Sequence, residues 1–326
     1  MATVLPSPAK SGEGPGVRAE ILSILFIDVK FNNAPCRSPA QAARDTIAVA
    51  SAPHRYFARM SNIEAVNALL TAINFDRFAE IGARHNPDVI FNSFRGPSLR
   101  SSVAVEDWHR EFLRDYADCN YTELEYVEQG DQVAVRATIE AKSDNYRAFT
   151  QRVIEVLRYE EGGVAERKLY GMLPNVEFDK AVTASMANAT GYRGGSASVT
   201  KAAIDGFYGN LLKGDAKTAM TFLHEKAALI DSVYGLTTGP ESIMQLTAQI
   251  PLPVFGSWRI TNTMCGAKDA MIELAVDPSR PRLADWIRIV DGKIAVIETY
   301  WMFREIGIDP FANAEERYRK QVIFPK

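Results

Sequence analysis

The sequence predicts an α+β protein made of two cone-shaped domains, each a curved antiparallel sheet packed with helices. Helical and strand periodicities follow one another in the order ααβαββββ, and this order occurs twice, at residues 60–180 and 196–308. Residue identities recur at fixed separations between these two stretches. An internal repeat of this kind decides the fold prediction, because each copy must then fold in the same way.

The elements of each copy follow from amphipathic spacing for helices and from apolar runs between Gly-containing turns for strands. In the first copy we predict helices at 61–75, 78–85 and 105–116 and strands at 89–94, 122–128, 132–141, 149–160 and 164–173. In the second copy we predict helices at 202–212, 219–225 and from 241, and strands at 228–233, 258–264, 270–276, 283–290 and 294–302. We expect the two copies to superpose, and one continuous sheet with a single core would contradict the repeat.

Two separations describe the repeat. Three residues of the first copy return 130 positions later with the same or a similar side chain: Glu155, Arg158 and Tyr170, as Asp285, Arg288 and Tyr300. Two others return 139 positions later: Asp76 and His85, as Asp215 and His224. The difference of nine predicts that the second copy is shorter between its third helix and its later strands, where loops absorb deletions readily.

Three segments lie outside the two copies. Residues 1–59 form an N-terminal extension with clustered Pro and Gly, and we expect it to be poorly ordered because it has too few patterned apolar residues for a core. Residues 181–195 are rich in Ala, Ser, Gly and Asn, which is typical of a linker. Residues 309–326 form a C-terminal tail.

Composition favours a small molecule as partner. The net charge of −3 and the pI of about 5.9 leave no basic face for nucleic acid or an anionic membrane, and the longest apolar run, at 21–27, is too short to span a bilayer. The three cysteines are far apart without a CxxC pair, which indicates a reducing, cytoplasmic environment and no thiolate metal site. No HExxH, P-loop, GxSxG or Rossmann glycine pattern occurs, and we expect neither a metal nor a cofactor.

Two carboxylates are predicted to point into the core. Alternate side chains of a strand share a face, so Asp285 lies with Ile287 and Ile289, while the face bearing Arg288 is expected to be outward. Glu155 occupies the same place in the first copy, where we favour a structural or ligand-binding role. A buried acid without a partner takes a raised pKa, because its ionised form loses hydration.

A third acid, Asp231, ends an apolar run in the second copy, and its counterpart in the first copy falls near Asn92-Ser93. A turn-forming Asp is the common alternative for Asp231, and a hydrogen-bonded structural acid is the alternative for Asp285. If both face one cavity, they can act as an acid/base pair that moves a proton between carbon atoms. We expect Asp285 to be the more buried and to titrate higher, and Asp231 to be ionised at neutral pH.

These residues resemble the nuclear-transport-factor-2-like fold, in the branch with SnoaL-like polyketide cyclases and steroid isomerases. The second copy is similar to ketosteroid isomerase through Gly214-Asp215, Asp231, the run at 285–294 and Tyr300-Trp301. The resemblance implies a general base at Asp231, a protonated oxyanion-hole acid at Asp285 and an aromatic side chain at Trp301. It places the family's first-helix tyrosine at Phe207, with Tyr208 about 100° further around the helix.

The first copy departs from this pattern. It has Asn92 and Ser93 where the base should be and Leu69 or Ala68 where the tyrosine should be, which indicates a degenerate or ligand-binding copy. This copy would supply a sheet-to-sheet contact within the chain, as a pseudo-dimer, with a homo-oligomer as the alternative. The candidate substrate-binding residues over both copies are Phe207, Tyr208, Tyr234, Trp301, Glu155 and Asn92.

Three functions fit these residues. The first is a cofactor-free enzyme in which Asp231 removes a proton next to the carbonyl of a small hydrophobic substrate, for isomerisation, aldol cyclisation or dehydration. The second is epoxide hydrolysis or cyclisation by the same two acids. The third is a non-catalytic protein that binds a small hydrophobic ligand, since one fold hosts many functions.

Deletion of residues 1–59 is expected to leave thermal stability nearly unchanged, because this stretch lacks enough patterned apolar residues to pack on a domain. Thermal unfolding of the shortened and full chains, followed by circular dichroism, measures the difference. A fall of several degrees in the melting temperature would show that the apolar run at 21–27 packs on the rest of the chain.

Overall fold

The computed structural model describes residues 60–142, 148–174, 195–249, 258–280 and 282–310. We call residues 60–174 the first half and residues 195–310 the second half of this described part, which lies within one compact unit. The predicted N-terminal extension, the predicted linker except its last residue, and residues 311–326 of the predicted tail lie outside the described residues.

Each half contains three helices and six strands in one order. The first half has helices α1 (Asn62–Asn74), α2 (Phe78–Ala83) and α3 (Ser102–Asp115) and strands β1 (His85–Ser93), β2 (Leu99–Arg100), β3 (Ala117–Gln129), β4 (Gln132–Lys142), β5 (Ala148–Glu160) and β6 (Gly163–Gly171). The second half has α4 (Ala197–Leu211), α5 (Ala216–Met220), α6 (Pro240–Gln249), β7 (Leu223–Asp231), β8 (Gly235–Thr238), β9 (Arg259–Cys265), β10 (Asp269–Ala275), β11 (Leu283–Val290) and β12 (Lys293–Trp301), followed by a 3-10 helix (Phe303–Ile306). The α+β prediction is confirmed, with β2 and β8 added; they are too short to show a sequence period.

Strand pairing is the same in both halves. The last four strands of each half form an antiparallel sheet, β3-β4-β5-β6 and β9-β10-β11-β12. The first strand runs parallel to the last, β1 beside β6 and β7 beside β12. The short strands β2 and β8 pair antiparallel with β1 and β7. Each half thus has one sheet that its helices pack against. None of these helices is long and apolar enough to span a bilayer.

The ends of the first helices correct the spacing of the repeat. Asp76 and Gly214 both adopt a positive φ after α1 and α4, the backbone conformation that Gly accepts most readily and Asp tolerates. The next residues, Arg77 and Asp215, donate equivalent backbone hydrogen bonds to residues five positions earlier. Asp76 therefore corresponds to Gly214, 138 positions on, and the predicted separation of 139 is wrong by one. A chance Asp–Asp identity had suggested the wrong register.

The second half is shorter mainly at one hairpin. Strands β4 and β5 contain 11 and 13 residues, whereas β10 and β11 contain 7 and 8. From β5 and β11 onward the predicted separation of 130 holds, because Glu155 pairs with Leu169 as Asp285 pairs with Thr299. The deletion therefore lies where the sequence predicted it, between the third helix and the later strands.

The two halves are not separate sheets with separate cores. Strands β6 and β12 are paired at Trp301 and Gly171, so the twelve strands are connected. The buried apolar residues of both halves also form one cluster. Element order and strand pairing nevertheless repeat in both halves, so the predicted repeat is present, with its two sheets joined at this bridge. The domain limits at 180 and 196 stay a prediction.

The sheets pack on each other through charged faces. Arg288 was expected to point outward, yet its guanidinium donates to Glu125 of the first half at 2.8 Å. Glu298 of β12 accepts from Arg136 of β4 in the same way. The outward prediction fails because a face that carries charge can be covered by an oppositely charged face. The central strands are consequently buried on both sides.

Candidate active site

Three polar residues of the second half form one row across neighbouring strands. Asp231 is in register with Thr299, and Thr299 is in register with Asp285. Neighbouring strands lie about 4.8 Å apart, so the two acids are separated by roughly 10 Å with Thr299 between them. Helix α4 covers this face of the sheet, which we call the inner face. Both acids therefore lie on one face of the sheet.

Asp231 has one oxygen occupied and one nearly free. Its Oδ1 accepts hydrogen bonds from the backbone N–H groups of Val233 and Tyr234 at 2.6 and 3.1 Å, as in an Asx turn. The indole N–H of Trp301 donates to both carboxylate oxygens, at 3.1 and 3.2 Å. The turn-forming role leaves Oδ2 with a free lone pair, because among the described residues it accepts a hydrogen bond from the Trp301 indole and from no other group.

Asp285 is held by two hydroxyl groups. Tyr208 of α4 donates to Oδ2 at 2.6 Å, and Thr299 donates to Oδ1 at 2.7 Å. Burial raises the pKa of the Tyr208 hydroxyl well above its usual value, and the neighbouring Asp285 raises it further, so this hydroxyl keeps its proton. The three residues form a hydrogen-bonded cluster that offers O–H groups to a developing negative charge.

The position of Tyr208 corrects the register taken from the family resemblance. Helix α4 begins at Ala197, and its buried residues are Thr200, Ala203, Ile204, Phe207 and Tyr208. Such a stripe is wide enough to include two consecutive residues, so both Phe207 and Tyr208 face the sheet. The tyrosine that the register had placed out of reach is therefore in contact with Asp285.

Both acids have raised pKa values, in the reverse of the expected order. Burial raises the pKa of Asp231 to about 7, and the hydrogen bonds from Val233 and Trp301 only partly offset this rise. Burial also raises the pKa of Asp285 to about 6, while the hydroxyls of Tyr208 and Thr299 lower it. Asp231 is as buried as Asp285, with 3 % and 6 % of their surfaces exposed, so the predicted difference in depth is absent.

Aromatic rings surround the two acids. The ring of Tyr234 lies 6.2 Å from that of Trp301, and Phe207 packs edge-on against Tyr208. Burial beside Asp231 raises the pKa of Tyr234 to about 12. Trp301, predicted to contact substrate, also positions Asp231 through its indole N–H. The structure thus brings together four of the predicted substrate-binding residues around the two acids.

The equivalent row of the first half consists of Ser93, Leu169 and Glu155. Glu155 is completely buried and forms two hydrogen bonds with the guanidinium of Arg167, at 2.7 and 2.9 Å. Arg167 also donates to His109 Nε2 at 3.0 Å. Burial and the charge of Arg167 lower the pKa of His109 well below its usual value, so this histidine is a neutral acceptor. The favoured structural role of Glu155 agrees with this ion pair.

Two first-half assignments are corrected. Asn92 is in register with Lys168 and so lies on the face opposite the inner one, where it accepts hydrogen bonds from Ser98 and Arg304. Ser93 is the true counterpart of Asp231. The matching helix ends show that Leu70 is the counterpart of Tyr208, and not Leu69 or Ala68 as predicted. The first half therefore has none of the second half's base, tyrosine or bridging threonine.

Residues 66–167 match the model of the SnoaL-like domain. We use this name for that part of the first half. No curated protein is similar to the chain. An NTF2-like protein of unknown function from Burkholderia pseudomallei K96243 is 21% identical, with 40% of this chain and 100% of that protein covered and a TM-score of 0.32.

Two further solved structures have comparable similarity. A protein with a ketosteroid isomerase-like fold from Catenulispora acidiphila, in complex with trimethylamine, is 16% identical over 33% of this chain and 84% of its own, with a TM-score of 0.32. A candidate polyketide cyclase from Pseudomonas putida KT2440 is 17% identical over 34% of this chain and 91% of its own, with a TM-score of 0.32. Similarity at this level carries no information about activity.

Sequence reasoning missed Thr299 and Arg167. Thr299 is two residues before Trp301, so strand alternation alone places it on the same face, and this signal was available. Arg167 lies two residues before Leu169 on the inner face of the SnoaL-like domain, but an arginine in a strand is usually solvated. No sequence pattern distinguishes it from a surface residue.

Among the described residues, no cluster of three or more His, Cys, Asp or Glu side chains is arranged as a metal site.

Glu155→Gln is expected to destabilise the protein by about 3–5 kcal/mol, because it leaves the buried charge of Arg167 without a counter-ion. Urea unfolding gives the change in free energy. The double variant Glu155→Gln/Arg167→Met is the control, and it should recover most of the loss because no buried charge is left unpaired. A double variant as unstable as the single one would contradict this explanation.

Asp231→Asn is expected to become more stable than the wild type as pH rises from 4 to 8. Folding raises the pKa of Asp231 from 3.8 to about 7. Burial of the ionised carboxylate therefore costs the wild type no stability below pH 3.8 and its full amount above pH 7. The largest relative gain is about 4 kcal/mol, from about 1.4 kcal/mol per pKa unit. Urea unfolding of both proteins across this pH range tests it, and parallel stability curves would refute the raised pKa.

Proposed function

We propose that the second half is an acid/base enzyme that acts on a small hydrophobic carbonyl compound, as an isomerase or a polyketide cyclase. The observation that carries the proposal is the row of Asp231, Thr299 and Asp285 on the inner face, with Tyr208 on Asp285. Two carboxyl groups of raised pKa on one buried face are the arrangement that proton transfer between carbons needs. The reaction uses side chains alone.

Asp231 is the general base. Its Oδ2 accepts the proton from the carbon next to the substrate carbonyl, and the C–H electron pair becomes the enolate. A base works best when its pKa is near the operating pH, and burial has brought that of Asp231 to about 7. The bonds from Val233 and Tyr234 to Oδ1 hold the carboxylate in one orientation. Return of the same proton to another carbon completes an isomerisation.

The cluster of Asp285, Tyr208 and Thr299 stabilises the enolate oxygen. A protonated Asp285 donates its O–H to this oxygen, while Tyr208 and Thr299 donate to the carboxyl group of Asp285 and strengthen it as a donor. Such donors act strongly where water is excluded, and both side chains are buried. With pKa values of about 7 for Asp231 and about 6 for Asp285, the form that has an ionised base and a protonated acid is most populated between these two pH values.

The substrate class follows from the surroundings of the acids. Phe207, Tyr234 and Trp301 present aromatic surface, which favours a hydrophobic ring system such as a polyketide or steroid-like ketone. The SnoaL-like domain supplies no counterpart of the base, so we assign it a supporting role as the first copy of a tandem repeat. We place the protein in the cytoplasm on its composition.

A screen of cyclic ketones, polyketide-like β-diketones, steroids and epoxides tests the proposal. Exchange of α-hydrogen for deuterium in D₂O, read by NMR, detects enolate formation even when no product accumulates. Exchange or isomerisation supports the proposal. Epoxide opening alone, or tight binding of ketones without exchange, would replace it by an epoxide-directed enzyme or a binding protein.

With a substrate in hand, Asp231→Asn is expected to reduce kcat by about a hundredfold to ten-thousandfold, because Asn keeps the shape but cannot accept the proton. Tyr208→Phe and Asp285→Ala should each cost about a hundredfold or more through loss of a donor, and Asp285→Asn less. Ser93→Ala, at the equivalent place in the SnoaL-like domain, is the matched control and should leave kcat unchanged. Equal sensitivity at Ser93 and Asp231 would overturn the assignment.

A further inference from the structure

The interface between the two halves contains two buried ionic contacts. Arg136 of β4 binds Glu298 of β12 through two hydrogen bonds, the longer at 2.9 Å. Lys168 of β6 donates to Glu273 of β10 at 3.1 Å. In each contact a strand of one half meets a strand of the other, and in both cases the cation belongs to the first half. The two contacts carry opposite charges on the two sides of the interface.

Strand register shows that these contacts are equivalent. Arg136 pairs with Ile154, and Glu273 pairs with Ala284, which is 130 positions after Ile154. Arg136 and Glu273 therefore occupy the same site in their respective halves. Lys168 and Glu298 are likewise 130 positions apart, and each pairs with the corresponding residue of the preceding strand. These two contacts are thus related by a pseudo-twofold axis, and at these positions the first half has cations where the second half has acids. A further contact, from Arg288 to Glu125, has the reverse polarity.

The acids of both contacts are buried, and the side chains of Arg136 and Lys168 are 14 % and 18 % exposed. Glu273 is fully buried and Glu298 is 5 % exposed. Each also accepts a tyrosine hydroxyl, from Tyr170 at 2.5 Å and from Tyr300 at 2.6 Å. A buried carboxylate that faced a second carboxylate, or a buried guanidinium that faced an ammonium group, would keep its desolvation cost without any compensating attraction.

We propose that this interface is a recognition surface that accepts only a first half against a second half. Two first halves packed in the same way would bring Arg136 against Lys168 twice, with Arg152, which lies 3.5 Å from Glu298, adding a further cation. Two second halves would bring Glu273 against Glu298 twice. The chain therefore carries the only partner that fits this face, and a pseudo-dimer within the chain replaces a homodimer of either half.

The test compares two charge exchanges in the full chain. The single exchange, Arg136→Glu with Glu298→Arg, keeps both contacts between the halves attractive but makes each half complementary to itself. The complete exchange adds Lys168→Glu with Glu273→Lys. The first half then carries the acids and the second half the cations, so two identical halves again repel each other. A protease recognition sequence inserted among residues 181–194 allows cleavage after folding. The melting temperature of each uncleaved chain checks that it has folded.

Cleaved proteins are denatured in urea, refolded by dilution and analysed by native mass spectrometry. We expect the wild type and the complete exchange to give first-with-second pairs alone, with homodimers below a tenth of the total. The single exchange should give both homodimers, approaching the 1:2:1 ratio of random assortment. Homodimers from the wild type, or none from the single exchange, would overturn the proposal. The complete exchange is the control, because its refolding would show that the reversed charges are tolerated. If it refolds and the single exchange does not pair at all, that result also contradicts the proposal.

Discussion

The position of β12 between two buried faces is the constraint on which the rest of the structure depends. Its alternate residues Thr299 and Trp301 contact the two acids of the inner face, while Glu298, which accepts from Tyr300, binds Arg136 of the first half. A slip of one residue in its register would bring Glu298 to the acids and Thr299 to the interface. The pairings with β7 and β11 therefore specify the candidate site and the interface together.

The inner faces of the two halves differ in whether an arginine is paired with the buried acid. In the second half, the residue equivalent to Arg167 is Ile297, so Asp285 has no counter-ion among the described residues and burial raises its pKa. In the SnoaL-like domain, Arg167 holds Glu155 through two hydrogen bonds, and the space near the acid is taken by His109. The same row on the same fold thus holds an acid of raised pKa in one copy and an acid paired with an arginine in the other.

Strand alternation predicted more of the site than helix periodicity did. A strand has a period of two, so the inward direction of Asp285 and Glu155 followed from neighbouring isoleucines and valines. A helix has a broad buried stripe, and a family register that was off by one residue misplaced Tyr208. Arg288 was misplaced for another reason: sequence pattern distinguishes charged from apolar faces, but it does not distinguish water from an oppositely charged partner such as Glu125. The order of the two pKa values depended on hydroxyl contacts that only the folded chain reveals.

Because side chains alternate between the two faces of a strand, the two faces of one half can have different roles. In the first half, Lys168 lies at the interface, while its neighbours Arg167 and Leu169 lie on the inner face. A change from an acid to Ser93 on the inner face leaves the interface charges untouched, because the two sets of side chains lie on opposite sides of the sheet. Since a first half is the one partner that the second half's face accepts, the first half remains necessary after its inner face has lost the acid/base pair. The opposite charges at the interface are therefore consistent with the different inner faces. If one half cannot replace the other at the interface, the two halves need not carry the same site.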